Sequence, residues 1–260
     1  HPLLPLPMSA AANTSNYVPL APTEIQKTFL ESGINKVAFI RHGNTAPASN
    51  DFERTLTDLG RSQSIVAGAS YGIELYPFSD EALCSSAPRC VETANLFLNS
   101  ILEEKTRQQD EVGEYVIPNL SLQPQLYDGT MQPAGSRLFA KIGYAPLRSY
   151  LENEIIDDAE AARIVLGGYA RSSLDIIFDV AKNCKLQKPP TTDSGRTLLF
   201  FAHAVYLPSA ALSLAAALDC HDGLELILDT NTKEAEGYCI NVDNENVDDV
   251  NVTLLCRLTT

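Results

Sequence analysis

Lys36-Val37-Ala38-Phe39-Ile40-Arg41-His42-Gly43 is the stretch that decides the fold. Val37 to Ile40 is an apolar, β-prone run of the length expected for a buried strand, and it ends abruptly in two polar residues and a glycine. A strand that leaves a core and at once presents an arginine and an imidazole places reactive groups at the edge of a sheet, where open α/β folds bind ligands. The stretch therefore predicts a central strand with a candidate site at its end; a strand followed by an ordinary polar turn is the alternative interpretation.

Two further segments predict a strand that ends beside a cationic or titratable side chain. Glu81 to Ser85 is a short strand, followed by a serine-rich turn and a helix that begins at Pro88, because proline is favoured at the first helical position. Arg89 then lies in the first helical turn, where free backbone amides and the helix dipole favour an anion. The apolar strand from Arg196 to Ala202 is followed directly by His203.

The rest of the sequence alternates between helix and strand patterns. Helices are predicted at 23–32, 57–71, 88–107, 158–182 and 207–218, and strands at 37–40, 81–85, 112–126, 196–202, 224–228, 237–242 and 250–258. This alternation indicates an α/β fold with a mostly parallel central sheet and an antiparallel edge. We expect residues 1–35 to form an N-terminal arm with a short helix, and residues 36–260 to form one domain.

Charge and hydropathy limit the classes of partner. The formal net charge is −14, which argues against nucleic-acid binding because that affinity comes mainly from Lys and Arg neutralising phosphates. No apolar run approaches the roughly 20 residues that span a bilayer, so we expect a soluble protein without a membrane partner. The six cysteines show no metal-like spacing and are interpreted mostly as buried thiols. The compartment stays open between cytoplasm, organelle and secretion, as does the oligomeric state.

The chemistry follows from where the strands end. In a parallel sheet the ends that carry Arg41, His42, Arg89 and His203 fall along one edge. Two arginines and two imidazoles there would fit a dianionic phosphoryl group, since arginine offers a fork of donors matched to phosphate oxygens. A neutral imidazole nitrogen can attack phosphorus and form a phospho-histidine while the arginines hold the spreading charge. This chemistry requires no metal and no other cofactor.

Four motifs occur in a fixed order along the chain. They are Arg41-His42-Gly43-Asn44-Thr45, Leu56-Thr57-Asp58-Leu59-Gly60-Arg61-Ser62-Gln63, Ser85-Ser86-Ala87-Pro88-Arg89-Cys90-Val91-Glu92-Thr93-Ala94 and Phe201-Ala202-His203. Together they resemble the histidine phosphatase superfamily, also called the phosphoglycerate mutase-like family, over roughly residues 36–218. The resemblance implies a three-layer α/β/α fold and phosphoryl transfer through a histidine. It implies that His42 is the nucleophile and that Arg41, Arg89 and His203 bind the phosphoryl group, and we add Asn44 to the substrate-binding residues.

Three positions depart from the family pattern. Asn44 stands where many members have Glu or Gln, and Ala202 where many have Gly before the second histidine. Neither change removes a charged group from the expected pocket. Ala204 follows the second histidine, so the His-Asp pair of the acid-phosphatase branch is absent.

The proton donor for the leaving group is open among three acids. The chemistry needs a carboxylic acid within hydrogen-bond reach of the ester oxygen. Asp128, which follows an extended segment and precedes Gly129, looks like the position of the family's acid, and we mark it as catalytic; an ordinary turn aspartate is the alternative. Asp51 and Glu53 are rivals, because small members resembling phosphohistidine phosphatases also have an acid before an Arg-x-Leu-Thr sequence.

The sequence thus predicts a metal-independent histidine phosphatase, acting on a phosphorylated small molecule or a phosphorylated protein side chain. Two alternatives share the same fold. A phosphoglycerate mutase would have to retain its intermediate and hold both ends of the substrate. A non-catalytic protein would keep the pocket only to bind a phospholigand.

Overall fold

A computed structural model of the 260-residue chain describes residues 22–107, 117–127, 132–184, 195–242 and 250–256. Its helices and strands, in chain order, are α1 Pro22–Ser32, β1 Ile34–Arg41, α2 Asp58–Ala67, β2 Glu81–Ser85, α3 Pro88–Arg107, β3 Asn119–Gln123, α4 Gln132–Ile142, α5 Leu147–Leu151, α6 Ile156–Cys184, β4 Arg196–Ala202, α7 Tyr206–Ala217, α8 His221–Asp229, β5 Gly237–Asn241 and β6 Asn251–Leu255. A π-helical turn, Gly68–Gly72, and a 3₁₀ turn, Ile73–Leu75, extend α2, and a 3₁₀ turn, Pro124–Leu126, follows β3.

The six strands form one mixed sheet in the order β3-β2-β4-β1-β5-β6. The first four strands in this order run parallel to one another, whereas β5 runs antiparallel to both β1 and β6. Arg41 of β1 pairs with Ala202 of β4, and Cys84 of β2 pairs with Phe201 of β4. The carboxyl ends of three central strands therefore reach the same edge of the sheet.

Two helical layers cover the sheet. In β1, Val37 and Phe39 pack into a core with α1, α6 and α7, whereas Ala38 and Ile40 pack into a second core with α2 and α3. Successive side chains of a strand point to opposite faces, so a strand buried on both faces is a continuous apolar run. The predicted three-layer α/β/α fold with a parallel core and an antiparallel edge is confirmed.

Two strand predictions differ from the structure. The strand expected at 224–228 is wrong, because these residues lie within α8. A short apolar run fits a buried strand or a buried helix equally well, and packing decides here. Gly223 and Ile227 are buried one turn apart, and a Cβ added at Gly223 would lie 2.2 Å from Cγ2 of Val252 in β6. Of the extended segment expected at 112–126, β3 covers Asn119–Gln123, and residues 112–116 lie outside the described part of the chain.

The other composition-based expectations concern cysteines, membranes and domains. Five cysteines are buried, Cys256 is exposed and all six are free thiols, which confirms the interpretation as mostly buried thiols. No helix in the described ranges is long and apolar enough to cross a membrane. Ile25 and Phe29 of α1 belong to the same core as β1. The division of the chain at residue 35 stays a prediction.

Candidate active site

His42 follows β1 directly, and its ring is held in one tautomer. Its Nδ1 lies 2.7 Å from the carbonyl oxygen of Gly43, which can only accept, so Nδ1 carries the proton. Nε2 therefore carries a lone pair, which accepts a hydrogen bond from Nε of Arg89 over 3.3 Å. Burial first, and then the positive charge of Arg89, lower the pKa of His42 to about 3. The imidazole is thus neutral at physiological pH, which is the form that can act as a nucleophile.

Arg89 lies in the first turn of α3, and its guanidinium is almost fully buried. Its Nη1 donates to the carbonyl oxygen of Asp51 over 2.5 Å, and its Nη2 donates to Oδ2 of Asp51 over 2.8 Å. Asp51 thus presents two oxygens to the guanidinium fork, as a phosphoryl group would. Burial raises the pKa of Asp51, but the charge of Arg89 and hydrogen bonds from Tyr127, Arg54 and Arg89 outweigh it, so the pKa lies below its ordinary value.

His203 follows β4 and is buried beside His42, with ring centroids 5.3 Å apart. Its Nε2 lies 2.9 Å from Oγ of Ser85, the last residue of β2. The ring of Tyr127 lies on another side, with centroids 5.3 Å apart. Burial, followed by the charge of Arg89, holds the pKa of His203 well below its usual value.

Arg41 is also buried, and its terminal nitrogens bind residues of the segment that precedes β5. Nη1 donates to the carbonyl of Thr232 over 2.7 Å, and Nη2 donates to Glu234 over 3.2 Å. The guanidinium carbon lies 5.0 Å from the ring centroid of Tyr144. The described residues offer its Nε no acceptor, although this atom is buried. A buried donor without a partner is costly, so an anion that reached Nε would be stabilised there.

Asn44 is bound into the loop that supports His42. Its side-chain oxygen accepts from Oγ1 of Thr57 over 2.8 Å, and its backbone amide donates to Oε1 of Gln63 over 2.8 Å. Thr57 also caps α2 by accepting from the amide of Gly60 over 3.1 Å. The second motif of the sequence therefore holds the segment that follows the histidine.

Gly60 allows this loop and α2 to touch through their backbones. A Cβ at Gly60 would lie 2.1 Å from the carbonyl oxygen of Asn44, whereas a Cβ at Gly167 of α6 would meet nothing within 4 Å. We expect Gly60→Ala to lower the free energy of unfolding by about 3 kcal/mol through overpacking. The matched Gly167→Ala should raise it by about 0.5–1 kcal/mol, because alanine favours a helix interior. Urea unfolding measures both, and equal effects would contradict the predicted close contact.

A cavity of about 230 Å³ opens beside these groups. The charged and titratable residues that line it are His42, Asp51, Arg54, Arg89, Tyr127 and His203. Among the described residues Arg41, Asn44 and Glu53 are not part of its lining. Asp128, the acid favoured from the sequence, lies outside the described part of the chain. Of the residues proposed from the sequence, the structure thus brings His42, Arg89, His203 and the rival acid Asp51 together.

Three residues of this site were not proposed from the sequence. Tyr127 donates to Oδ2 of Asp51 over 2.9 Å, and burial, with this hydrogen bond, raises its pKa to about 12. Arg54 donates to Oδ1 of Asp51 over 3.2 Å and to the carbonyl of Ala46 over 3.2 Å. Ser85 contacts His203 as described. The position of Ser85 at the end of β2 could have indicated that it belongs to the site, whereas no sequence pattern indicated Tyr127. In the described ranges no three His, Cys, Asp or Glu side chains form a metal-binding group.

Comparison with known proteins gives a result for structure alone. No protein-family model matches the sequence, and no curated protein matches it. A mycobacterial glucosyl-3-phosphoglycerate phosphatase, solved with inorganic phosphate, is 14% identical with a TM-score of 0.50, over 85% of this chain and 95% of its own. An Entamoeba histolytica phosphoserine phosphatase, solved with 3-phosphoglyceric acid, is 12% identical with a TM-score of 0.46, over 86% and 97%. The protein histidine phosphatase SixA, solved with tungstate, is 14% identical with a TM-score of 0.41, over 84% and 93%.

The first of these similarities shows that the chain shares the fold of the mycobacterial phosphatase. This is the fold that the four motifs predicted. At such low identity a shared fold does not by itself determine the activity, which has to be argued from the site.

The lowered pKa of His42 predicts how stability depends on pH. The pKa of an ordinary histidine is about 6.5, whereas that of His42 in the folded chain is about 3. Between these two pH values the unfolded chain binds a proton at this residue and the folded chain does not. Stability is therefore lost as the pH falls, and this group alone should remove about 2 kcal/mol between about pH 8 and about pH 5. In urea unfolding, His42→Asn should show a correspondingly smaller loss. The exposed His221→Asn should keep the wild-type dependence, and identical slopes for His42→Asn and wild type would refute the prediction.

Proposed function

We propose that this protein is a metal-independent phosphatase that hydrolyses a phosphomonoester, or a phosphorylated protein side chain, through a phospho-histidine at His42. One observation carries the proposal. The Nε2 lone pair of a neutral, buried His42 lies beside the guanidinium of Arg89 and the ring of His203, in a cavity large enough for a phosphoryl group. Phosphoryl transfer to histidine requires a neutral imidazole as the nucleophile and cationic groups that bind the phosphoryl oxygens.

The arginines would hold the phosphoryl oxygens. Two of these oxygens replace Asp51 on the terminal nitrogens of Arg89, which already bind a carbonyl and a carboxylate oxygen. The charge of Arg41 is among the causes that lower the pKa of both His42 and His203, so it would also favour an anion bound beside these rings. Its Nε, which has no partner among the described residues, is the candidate donor for the third oxygen.

The reaction has two steps. In the first, Nε2 of His42 forms a bond to phosphorus, the ester P–O bond breaks, and the leaving oxygen takes a proton from an acid in the site. In the second, water attacks phosphorus, the P–N bond breaks and inorganic phosphate leaves. The proton of that water returns to the same acid. Burial of the site strengthens the attraction between arginine and phosphoryl oxygens throughout.

We propose Asp51 as that acid, with Asp128 as the competing assignment. Asp51 lines the cavity and contacts Arg89, so a group bound to Arg89 lies beside it. Its pKa is low while it is paired with Arg89. A phosphoryl dianion that takes over Arg89 removes this stabilisation and adds a negative charge nearby, and both changes raise the pKa of Asp51 toward that of a proton donor.

An Asp51→Asn variant should separate esters by their leaving groups. With an alkyl phosphate, whose leaving oxygen must be protonated, we expect kcat to fall by about 100-fold or more. With 4-nitrophenyl phosphate, whose leaving group is stable as an anion, we expect a fall below about tenfold. Asp128→Asn is the matched control. If Asp128→Asn shows this leaving-group pattern and Asp51→Asn does not, the donor is Asp128.

The function itself is tested by phosphate release. We expect purified protein, treated with a chelator, to release inorganic phosphate from 4-nitrophenyl phosphate and to acquire an acid-labile label at His42. Tight phosphate binding with no turnover and no label, across a panel of phosphate esters, would instead favour a non-catalytic phospholigand-binding protein. Faster isomerisation than hydrolysis of a phosphoglycerate would favour a mutase.

A further inference from the structure

The wall of the cavity beyond the charged residues is mostly apolar and contains both aliphatic and aromatic side chains. It is formed by α4 and the turn after it, by α5, by the middle of α6 and by the start of α7. Its side chains include Leu138, Phe139, Tyr144, Val165, Leu166 and Tyr206. Leu138, Val165 and Leu166 are each almost completely buried. Any part of a substrate that reaches them leaves water.

Two tyrosine hydroxyl groups of the cavity lining are engaged within the protein. The hydroxyl of Tyr150 donates to the carbonyl of Gly143, and that of Tyr127 donates to Asp51. Ring faces, rather than free hydroxyl groups, are therefore what these two tyrosines offer to a substrate. The rings of Phe139 and Tyr144 pack edge to face with centroids 4.8 Å apart, and Tyr144 covers Arg41. Aromatic surfaces of this kind favour flat or aliphatic groups.

The charged side chains of the lining are all close to the reacting histidine. Arg89 contacts His42, and Asp51 contacts Arg89. Arg54 donates from each of its three nitrogens, to Asp51, to the carbonyl of Ala46 and to Oγ1 of Thr45, which holds its guanidinium at the Asp51 side of the cavity. In the described ranges the rest of the lining has no charged side chain. A second anionic group on a substrate would therefore lie against buried aliphatic side chains, where an unpaired charge is strongly disfavoured.

We propose that the site selects phosphate monoesters whose leaving group is an uncharged aromatic or aliphatic alcohol, and rejects those with a second anionic group such as a phosphoglycerate. This inference rests on the proposed phosphatase function and specifies its substrate class. The cavity of about 230 Å³ is somewhat below the roughly 300–1,000 Å³ of sites for drug-sized ligands. A phosphoryl group with one small apolar substituent fits this size. An aromatic ring in the leaving group can belong to a small aromatic alcohol or to a tyrosine side chain.

The test uses esters of primary alcohols, so that intrinsic reactivity differs little between them. We expect kcat/KM for 2-phenylethyl phosphate to exceed that for 3-phosphoglycerate by about 100-fold, and that for glycerol 3-phosphate by about tenfold. Phenyl phosphate and a tyrosine-phosphorylated peptide are both aryl esters, and a comparison of these two identifies which source of the ring is preferred.

Variants at Phe139 test the wall directly, since this residue is only partly buried. Phe139→Ala should lower the ratio of kcat/KM for 2-phenylethyl phosphate to that for glycerol 3-phosphate by about tenfold. Phe139→Arg should raise kcat/KM for 3-phosphoglycerate, because it supplies the missing cation. Ile164 is an exposed residue of α6 outside the lining. Ile164→Ala should leave unchanged both the ratio of kcat/KM values and kcat/KM for 3-phosphoglycerate.

The outcomes separate the two proposals. If no ester is hydrolysed and His42 is never labelled, the phosphatase function itself fails. If kcat/KM for 3-phosphoglycerate or glycerol 3-phosphate equals or exceeds that for 2-phenylethyl phosphate, the function stands and the inferred substrate class is wrong. Because wild-type protein alone gives this second result, the inference stays testable even if a Phe139 variant does not fold.

Discussion

His42→Ala is expected to abolish phosphatase activity, with kcat reduced by about 10⁴-fold or more. The variant keeps the arginines but lacks the only protein atom proposed to form a bond to phosphorus. Loss of a nucleophile removes the covalent pathway as a whole, so the effect should far exceed that of any single phosphoryl contact. Initial rates of phosphate release from 4-nitrophenyl phosphate, together with labelling by a radioactive phosphate ester, measure it.

Two further results make this test decisive. His42→Ala should still bind inorganic phosphate, because Arg41, Arg89 and His203 remain, and binding shows that the variant is folded. The control His221→Ala removes an exposed histidine of α8 and should retain wild-type activity and labelling. Full activity in His42→Ala would falsify the proposed mechanism.

Arg89→Lys is expected to reduce kcat/KM by about 10²–10³-fold. The substitution keeps a positive charge near His42 and Asp51 but replaces a planar fork by a point charge. It removes the pair of parallel bonds that now hold Asp51 and the Nε–H bond to His42. A large loss would therefore show that bidentate geometry, and not charge alone, holds the phosphoryl group.

The matched control lies on the same helix. Arg107, at the end of α3, is exposed and pairs with Glu104. Arg107→Lys should leave kcat/KM within twofold of wild type, because an exposed ion pair contributes little. If Arg89→Lys behaves like Arg107→Lys, the guanidinium of Arg89 does not contact the reacting group, and the proposed cradle is wrong.

The sequence predicted the fold correctly where burial imposes a local pattern of apolar residues. Val37 to Ile40 and Leu198 to Ala202 lie between two helical layers, and every residue in these two runs is apolar. The helix α3 begins at Pro88, where proline suits the first turn. The run at 224–228 has no such signature, because a short apolar run fits a buried strand and a buried helix equally well.

Contacts within the site depended on residues that are far apart in the sequence. Arg89 and Asp51 are 38 residues apart, and Tyr127 and Asp51 are 76 apart. A motif can predict that an arginine follows β2, but no spacing indicates which oxygens meet its guanidinium. For the same reason Asn44 was expected near the substrate, whereas its side chain binds Thr57.

By itself, the sequence determined the layered fold and the residues at the ends of its central strands. Both follow from local rules, since a strand buried on both faces must be apolar and must expose its next residue at the sheet edge. Only the tertiary structure decided that Asp51 binds the guanidinium of Arg89, that His42 is neutral, and that aliphatic and aromatic side chains form most of the rest of the cavity wall. These properties depend on burial and on the meeting of distant segments, which no local pattern encodes.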